Sequence, residues 1–499
     1  MAPDDAYITY RYAHNLAHGL GLAYNPGEAV LGTSTPLYTL LLAVGARMGL
    51  DVPQLSWAIG VLAWASMVPL TATLLGRQSH AATLGPLLLL ATSLLVAQNL
   101  GMESSLYAVV CLASFALLSR GRHLAAASAA ALATLMRLDG ALVAAVVLAA
   151  LFRRRKHLPW RESLLVLFIA APWYAFSWVH YGSPFPSSFL AKAGLARSAG
   201  FGGGDFLTGA AALLRSRLLA WPLVLCLAGL PRAARQPTVS LYLCWAALYS
   251  LAYWLTGMPH FGWYYVPLVP ALAVLAILGV EAIVKALASN DDRLTHLATW
   301  AIFLAIVATA GQAARQVWRE ARRDPPRALA YRDAGLWLAR NAAPGDRVAL
   351  LEIGIVGHYS GMGVVDTMGL VSPYIGQRLL HWGQSLVLAL NHYWPEYALA
   401  VATTAWEAVE RQEWFRQAYE PVAQFDHSAL GDPSARLTLY RRRPWHPPAA
   451  HCSWSTDTSL APGIVLRTVG VHGLPVLTRG ATHHLTLEWS CIDTQQVDS

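Results

Sequence analysis

Long apolar segments separated by short polar turns fill the chain between about residues 55 and 312. About 20 apolar residues are enough for a helix to cross the hydrocarbon core of a bilayer. The pattern therefore predicts ten membrane-spanning helices, centred on residues 57–76, 83–100, 104–119, 123–137, 140–152, 162–180, 207–230, 238–257, 263–284 and 295–312. The fourth and fifth segments are short, and Pro69, Pro86, Pro172 and Pro222 favour kinks in four of the segments.

The pattern changes after residue 312, where polar residues become frequent. Residues 329–341 have the spacing of an amphipathic helix. A buried strand followed by a turn is predicted for the segment GDRVALLEIGIVGHYSG. Two more strands are predicted for the segments GVVDTMGL and YALAVATT. The glycines of this region, including Gly354 and Gly357, do not have the spacing of a phosphate-binding loop, and we interpret them as turn residues. Helices that alternate with apolar strands predict a small α/β domain at residues 325–443.

A Pro-rich linker, PWHPPAA, separates this domain from the C-terminal residues 455–499. IVLRTVGV and HHLTLEW in that region alternate apolar and polar residues, as strands do. We expect them to begin a β-sandwich that the sequence does not complete. Cys452 and Cys491 lie in this region, and a disulfide between them requires that it faces an oxidising compartment.

The composition is that of a membrane protein. The chain is 56% hydrophobic and 13% charged, whereas soluble domains average about 25% charged residues. The formal charge of +8 comes mostly from Lys and Arg at the ends of apolar segments, where they orient helices and do not indicate nucleic-acid binding. The predicted fold class is mainly α: a polytopic helical membrane domain with an extracytoplasmic α/β domain and the start of a β-sandwich.

Lys and Arg are more frequent in one set of alternate turns, which includes the run Arg153–Lys156. The positive-inside rule places that set in the cytoplasm. Residues 1–54 then form a first outer loop, in which the short apolar segment 35–50 is expected to lie at the interface as a helix. An outer N-terminus without a preceding span leads us to expect that the sequence lacks the first transmembrane helix. The outward side carries the candidate residues Asp4, Asp5, Glu103, Arg137, Lys192 and His260.

Asp4 and Asp5 are adjacent carboxylates at the start of the predicted helix DDAYITYRYAHNLAHGLG. Acidic residues there can simply cap the helix, because they accept hydrogen bonds from its unpaired N–H groups. A pair of carboxylates at the outer membrane surface can also supply acid–base chemistry. We favour the functional interpretation because few acidic residues face outward among the predicted spans.

Three further outward positions have two interpretations each. Glu103 either caps the following helix or binds a metal ion or substrate, since a carboxylate at this depth is costly unless it is paired or functional. Arg137 either pairs with Asp139 across the turn or holds a phosphate, which its planar guanidinium group suits. Lys192 is either solvated or held in the outer cleft by the proline-containing loop YGSPFPSSFLAK.

Aromatic residues form a second outward group. His260 and Tyr264 lie in MPHFGWYYVPL, which is typical of an interfacial aromatic belt. The functional alternative is a wall that contacts a sugar or a lipid, to which Tyr7 of the first loop would also belong. His14 and His18 are four residues apart, a spacing that can chelate a metal, but HNLAH lacks the glutamate of HExxH. We interpret these two as surface histidines.

The motifs DDAYITYRYAHNLAHGLGLAYNPGE, TSTPLY, GMESSLY, RLDG, APWY, YGSPFPSSFLAK and VVDTMGL occur in this order. With them the chain resembles the GT-C superfamily of polyprenyl-phosphate-sugar glycosyltransferases. It is similar in particular to the bacterial branch of protein mannosyltransferases, the aminoarabinose transferase of lipid A and mycobacterial arabinofuranosyltransferases. The resemblance covers residues 1–312 and, more loosely, the α/β domain.

The resemblance implies a multi-pass glycosyltransferase of the cytoplasmic membrane. Its donor would be a polyprenyl-phosphate-linked sugar, and its acceptor a hydroxyl group of a lipid, a glycan or a protein. The catalytic aspartate of the family falls on Asp4 or Asp5, and the acidic residue that helps to bind a divalent cation or the acceptor falls on Glu103. The contacts to the donor phosphate fall on Arg137 and Lys192.

The expected chemistry is a single displacement with inversion at the anomeric carbon. A base removes the proton of the acceptor hydroxyl, and positive charge stabilises the departing phosphate. A transporter or a flippase of lipid-linked glycans is the alternative, and it predicts ionisable residues near the middle of the membrane and internal repeats. A sensor with a membrane anchor is a third possibility, but ten spans exceed what an anchor needs.

Overall fold

A computed structural model describes residues 1–75, 93–188, 204–215, 220–287, 292–321, 324–376, 382–444, 452–461, 464–472 and 484–491. Its helices up to residue 321 are α1 Asp4–Ala17, α2 Pro36–Arg47, α3 Val52–Leu75, α4 Leu94–Gln98, α5 Ser104–Ser119, α6 His123–Met136, α7 Ala141–Arg155, α8 Trp160–Tyr181, α9 Gly204–Arg215, α10 Ala220–Ala234, α11 Pro237–Leu255, α12 Val269–Leu287 and α13 Asp292–Ala321. The predicted fold class, a mainly helical membrane domain followed by a small mixed sheet, is confirmed.

Within the described residues, four helical segments are long and apolar enough to cross a membrane: Val52–Leu75, Trp160–Tyr181, Pro237–Leu255 and Gly262–Ala286. The helices α6 and α7 are as short as the sequence indicated, with 14 and 15 residues. In the seventh predicted span the structure has two elements, α9 and α10. Part of the second predicted span lies outside the described residues. With several helices able to cross a bilayer, the chain is a multi-pass membrane protein.

Small residues allow the helices to approach each other closely. A Cβ atom on Gly279 of α12 would lie 1.8 Å from the main-chain oxygen of Leu225 in α10, and one on Gly229 would lie 2.1 Å from that of Leu275. Helix α6 likewise buries an alanine face that includes Ala126, Ala130 and Ala133. Such contacts favour association in lipid, where packing rather than water exclusion holds helices together.

The part after residue 321 contains a second set of elements. These are α14 Pro326–Asn341, β1 Arg347–Leu350, α15 Ile353–Ser360, β2 Gly363–Asp366, α16 Pro373–Gly376, α17 Trp382–Tyr393, β3 Tyr397–Val401, α18 Thr404–Glu410, α19 Glu413–Ala418, β4 Tyr419–Asp426 and β5 Arg436–Arg442. The strands form one sheet in the order β2-β1-β3-β5-β4. Strands β1, β2 and β3 are parallel, whereas β5 and β4 are antiparallel to their neighbours.

The sequence predicted a turn directly after β1. That prediction is wrong, because residues Ile353–Ser360 form the helix α15. Gly354 and Gly357 are not turn residues but points of close approach. A Cβ on Gly354 would lie 1.9 Å from the main-chain oxygen of Asp4, and one on Gly357 would lie 2.0 Å from the hydroxyl of Tyr24. Gly361 ends the helix with φ +67°, a conformation that glycine adopts readily.

The C-terminal strands are β6 Cys452–Ala461, β7 Ile464–His472 and β8 His484–Cys491, in an antiparallel sheet of that order. Cys452 is level with Val471 and Leu485, whereas Cys491 lies six residues farther along β8. At about 3.3 Å per residue the two cysteines are about 20 Å apart along the strands. A disulfide needs Cα atoms within about 7 Å, so this register excludes the Cys452–Cys491 pairing.

Candidate active site

Asp4 is the first residue of α1, but it caps a different helix. Its Oδ2 accepts the N–H of Gly354 at 2.9 Å and its Oδ1 accepts the N–H of Ile355 at 2.7 Å. Both N–H groups belong to the first turn of α15, and α1 itself begins after Pro3 without a side-chain cap. The expectation that Asp4 caps its own helix is therefore wrong, because Asp4 caps α15, about 350 residues farther along the chain.

Arg11 holds the other end of α15. Its guanidinium group donates to the carbonyl of Gly357 at 2.6 Å, to that of Met362, and to that of Tyr24 at 2.7 Å. The guanidinium carbon also lies 4.4 Å from the centre of the Tyr24 ring. Carbonyl groups at a helix C-terminus carry partial negative charge, so a cation there is stabilising. Arg11 and Asp4 thus satisfy opposite ends of the same short helix, and we call this arrangement the α1–α15 clamp.

The clamp changes the ionisation of Asp4. Burial and, to a smaller extent, the nearby Glu352 raise the pKa of its carboxyl group to about 8, against the two N–H donors that lower it. Burial also raises the pKa of Glu352, whereas Arg327, at 2.6 Å, opposes that shift. Asp4 therefore exists partly as the acid near neutral pH, and its oxygen atoms are already engaged with main-chain N–H groups.

Asp5 and Tyr7 lie one and three residues farther along α1. Asp5 is half-buried, and its charge contributes to the raised pKa of Asp4. Tyr7 is only 2% exposed and packs against Tyr10, with ring centres 4.9 Å apart, and against His358, at 5.4 Å. The structure thus places Tyr7 between α1 and α15, and not on the surface of an open cleft.

A second charged group lies where α5 begins and α6 ends. Arg137 donates to Glu103 at 2.5 Å, to Asp139 at 3.2 Å and to the hydroxyl of Tyr253 at 2.6 Å. Tyr253 in turn donates to Asp139 at 2.5 Å. Glu103 is 5% exposed and Arg137 is 8% exposed. We call these four residues the Arg137 cluster.

The pairing within this cluster bears on two predictions. The structure has the Arg137–Asp139 pair that the sequence offered as the alternative to phosphate binding, and adds Glu103 to it. Arg137 would have to give up these partners to hold a donor phosphate. The described residues contain no group of three or more His, Cys, Asp or Glu side chains that could hold a metal ion. Because Glu103 is engaged with Arg137, its surroundings do not fit the divalent-cation site that the resemblance implied.

Two of the remaining predicted positions, Tyr264 and His260, have partners of their own. Tyr264 is 7% exposed and packs on Tyr253, with ring centres 4.8 Å apart, so it supports the Arg137 cluster. His260 is exposed, and its Nδ1 lies 3.0 Å from the hydroxyl of Tyr265. Lys192 lies outside the described residues. The predicted aromatic wall is thus divided between two separate environments.

Sequence reasoning missed Arg11 and Asp366. Arg11 interrupts the aromatic run YITYRYAHNLA, and an arginine among residues that otherwise pack in a core is rarely unpartnered. Asp366, in VVDTMGL, is fully buried and accepts the N–H groups of Met368 at 2.7 Å and Val371 at 2.9 Å. Burial raises the pKa of Asp366 to about 6, against these donors. This carboxyl group shapes the loop after β2.

Asn25 and Ser187 connect two further segments to this same region. The side-chain amide of Asn25 exchanges two hydrogen bonds with Val364, at 2.9 and 3.0 Å, and so pairs with the free edge of β2. The hydroxyl of Ser187 lies 2.6 Å from the carbonyl oxygen of Leu370 and 2.9 Å from that of Leu31, so its one proton is shared between these two acceptors. The first loop, the loop after α8 and the α/β domain therefore meet around the clamp.

Comparisons with known proteins agree with this architecture. Residues 316–445 match the model of a domain of unknown function, DUF8728. No curated protein matches the chain by sequence. Among solved structures, ArnT from Cupriavidus metallidurans in the apo state is similar, with 15% identity and a TM-score of 0.51, over 88% of this chain and 93% of that one. ArnT bound to undecaprenyl phosphate matches with the same identity, TM-score and coverage.

ArnT is a GT-C glycosyltransferase. The resemblance that the sequence motifs indicated is thus confirmed at the level of the fold. At this identity the likeness establishes the fold and leaves the activity to be argued from the site.

Proposed function

We propose that the protein is a membrane glycosyltransferase that moves a sugar from a polyprenyl-phosphate donor to a hydroxyl acceptor at the outer face of the cytoplasmic membrane. The observation that carries this proposal is the fold shared with ArnT, which has been solved bound to undecaprenyl phosphate. Fold alone does not define activity. The acidic pair at the junction of the membrane helices and the α/β domain supplies the chemistry that the fold leaves open.

An apolar groove along α8 supports a polyprenyl donor. It has a volume of about 940 Å³ and is lined by residues such as Val166, Ala170 and Tyr174. It ends at Pro184 and Phe185, in the loop that Ser187 fastens to the α/β domain. An isoprenoid chain in this groove would bring its phosphate to the outer end of α8. Lys192, which follows in the same loop, is our candidate for the phosphate contact.

Asp5 is the better candidate for the general base. Both carboxylate oxygens of Asp4 accept main-chain N–H groups, so a proton transfer at Asp4 would disturb the cap of α15. In the proposed step Asp5 takes the proton of the acceptor hydroxyl while that oxygen bonds to the anomeric carbon. The bond from the anomeric carbon to the phosphate oxygen breaks, polyprenyl phosphate leaves with the electron pair, and the anomeric configuration inverts.

The position of the Arg137 cluster favours transfer over transport. A transporter predicts ionisable groups near the middle of the membrane. Glu103 precedes the first residue of α5, and Arg137 follows the last residue of α6. These buried charges therefore lie at helix ends, where they fix the geometry of an outer surface.

The test is transfer of a radiolabelled sugar from a synthetic polyprenyl-phosphate donor to membrane acceptors by the full chain in proteoliposomes. We expect Asp5→Asn to lower the rate at least 100-fold, because general base catalysis contributes about 10²–10⁴-fold. Asp4→Asn is the matched control and should lower it less, since it removes a cap. Undiminished transfer by the Asp4→Asn/Asp5→Asn double variant would contradict the mechanism.

A further inference from the structure

A pocket of about 500 Å³ opens on the α/β domain at the edge of the sheet remote from the clamp. Strands β1 and β3 begin at this edge with Arg347 and Tyr397, and β5 ends there with Arg442. The clamp contacts the opposite edge, where β1 leads into α15. The pocket is therefore separate from the carboxylate pair.

Glu396 and Arg442 form the fixed base of the pocket. One carboxylate oxygen of Glu396 accepts Arg442 Nη2 at 2.8 Å, and the other accepts the N–H of Arg347 at 2.9 Å. Arg442 also donates to the main-chain carbonyl of Trp394. These contacts tie three strand ends together and hold the polar groups in place before a ligand arrives, which lowers the entropy cost of binding.

Trp394 lines the pocket in an unusual conformation. It follows the last residue of α17, its N–H donates to Leu390 at 3.1 Å, and its φ is +47°. Glycine or asparagine is the usual residue at such a helix end, because a side chain is strained there. A half-buried tryptophan at this position gives the pocket a large aromatic surface at the expense of a favourable backbone conformation.

The charges of the pocket balance. Three carboxylates, Asp346, Glu396 and Glu420, face three guanidinium groups, Arg441, Arg442 and Arg443. Glu420 and Arg443 are 3.7 Å apart, so they leave hydrogen-bonding capacity for a ligand. A phosphate or another strong anion would favour an excess of positive charge. A neutral ligand with many hydroxyl groups suits this mixture, since carboxylates accept and guanidinium groups donate hydrogen bonds.

We propose that this pocket binds a neutral saccharide unit, whose apolar face packs on Trp394 and whose hydroxyl groups pair with the surrounding carboxylates and guanidinium groups. The site would hold a glycan on the α/β domain away from the carboxylate pair. It does not depend on the transferase activity proposed above.

The experiment is saturation-transfer difference NMR on the full chain in lipid nanodiscs, which avoid glycoside detergents. The probes are neutral hexasaccharides of glucose, mannose, galactose and arabinose, with inorganic phosphate as the charged competitor. We expect at least one hexasaccharide to bind and phosphate at 10 mM not to displace it. Trp394→Gly should weaken binding at least tenfold, whereas Trp394→Tyr should retain most of it and Asp5→Asn all of it.

Glycine suits the backbone at position 394, so Trp394→Gly should keep the fold unless the ring is needed for packing on Arg442 and Tyr419, which lie 5.8 and 6.1 Å away. If the melting temperature of Trp394→Gly falls, two other variants of pocket-lining residues, Glu420→Gln and Arg441→Gln, test the proposal instead. Each of them should weaken saccharide binding several-fold. The proposal is wrong if none of the hexasaccharides binds, if phosphate displaces them, or if binding survives the decisive variants.

Discussion

The α1–α15 clamp and the Arg137 cluster hold buried charge in different ways. In the clamp, Asp4 and Arg11 bind main-chain groups at the two ends of one helix. In the cluster, Arg137 binds the side chains of two carboxylates and a tyrosine. The clamp joins the N-terminal helix α1 to the α/β domain, whereas the cluster joins the ends of helices α5 and α6.

The difference lies in what remains when one member is removed. Main-chain groups are neutral, so loss of Asp4 or Arg11 leaves unsatisfied dipoles. Loss of Arg137 leaves the buried Glu103 and the half-buried Asp139 without their cation. An uncompensated buried charge is far more costly than a missing hydrogen bond. We therefore expect the cluster to be more sensitive to substitution than the clamp.

The largest effect is expected for Arg137→Ala, which should lower the free energy of unfolding by about 3–5 kcal/mol. Thermal unfolding of the detergent-solubilised protein would measure it. Arg411→Ala is the matched control, because Arg411 pairs with Glu407 at 3.5 Å and both side chains are exposed, by 79% and 55%. Exposed ion pairs contribute about 0–1 kcal/mol. Equal effects of the two variants would remove the distinction between the cluster and an ordinary ion pair.

Arg11→Met should have the next largest effect, about 3 kcal/mol. A hydrogen bond to a charged group contributes about 1.5–3 kcal/mol, and the carbonyls of Tyr24 and Gly357 keep other donors when Arg11 is removed. Arg11→Lys keeps the charge but cannot reach three carbonyl groups with one ammonium group, so it should recover only part of the loss. Hydrogen exchange of α15 is the second measurement. Unchanged exchange there in Arg11→Met would show that α15 does not need the clamp.

Asp4→Asn should have a smaller effect, about 1 kcal/mol, as for the loss of a helix cap. An asparagine oxygen can still accept one of the two N–H groups. Its amide group then faces the other N–H, which accounts for the loss. A melting temperature well below that of Arg11→Met would reverse the order that the clamp predicts.

The last prediction concerns the pH dependence of stability. The pKa of Asp4 is raised to about 8 from an ordinary value near 3.8, so the folded protein keeps this proton where the unfolded chain releases it. The contribution of Asp4 to stability is therefore full below about pH 4 and is lost as the pH rises to about 8. The melting temperature should fall more steeply between pH 5 and pH 8 in the parent protein than in Asp4→Asn. Parallel curves would show that Asp4 titrates normally.

Much of the fold could be predicted from local patterns. Apolar segments, the short helix at Pro36–Arg47 and three strands follow from periodicity. The helix α15 could not be predicted in the same way. It has eight residues, two of them internal glycines, and helices of this length are marginal without tertiary partners.

The sequence by itself determined which segments are apolar enough to enter a membrane and which carboxylates lie outside them, because these properties depend on composition and spacing alone. Only the tertiary structure decided that Asp4 caps α15, that Arg11 binds its far end and that Glu103 joins Arg137 to Asp139. The partners of Asp4 and Arg11 lie about 350 residues away along the chain. Hydrogen bonds over that separation depend on how helices and strands pack, which local sequence patterns do not encode.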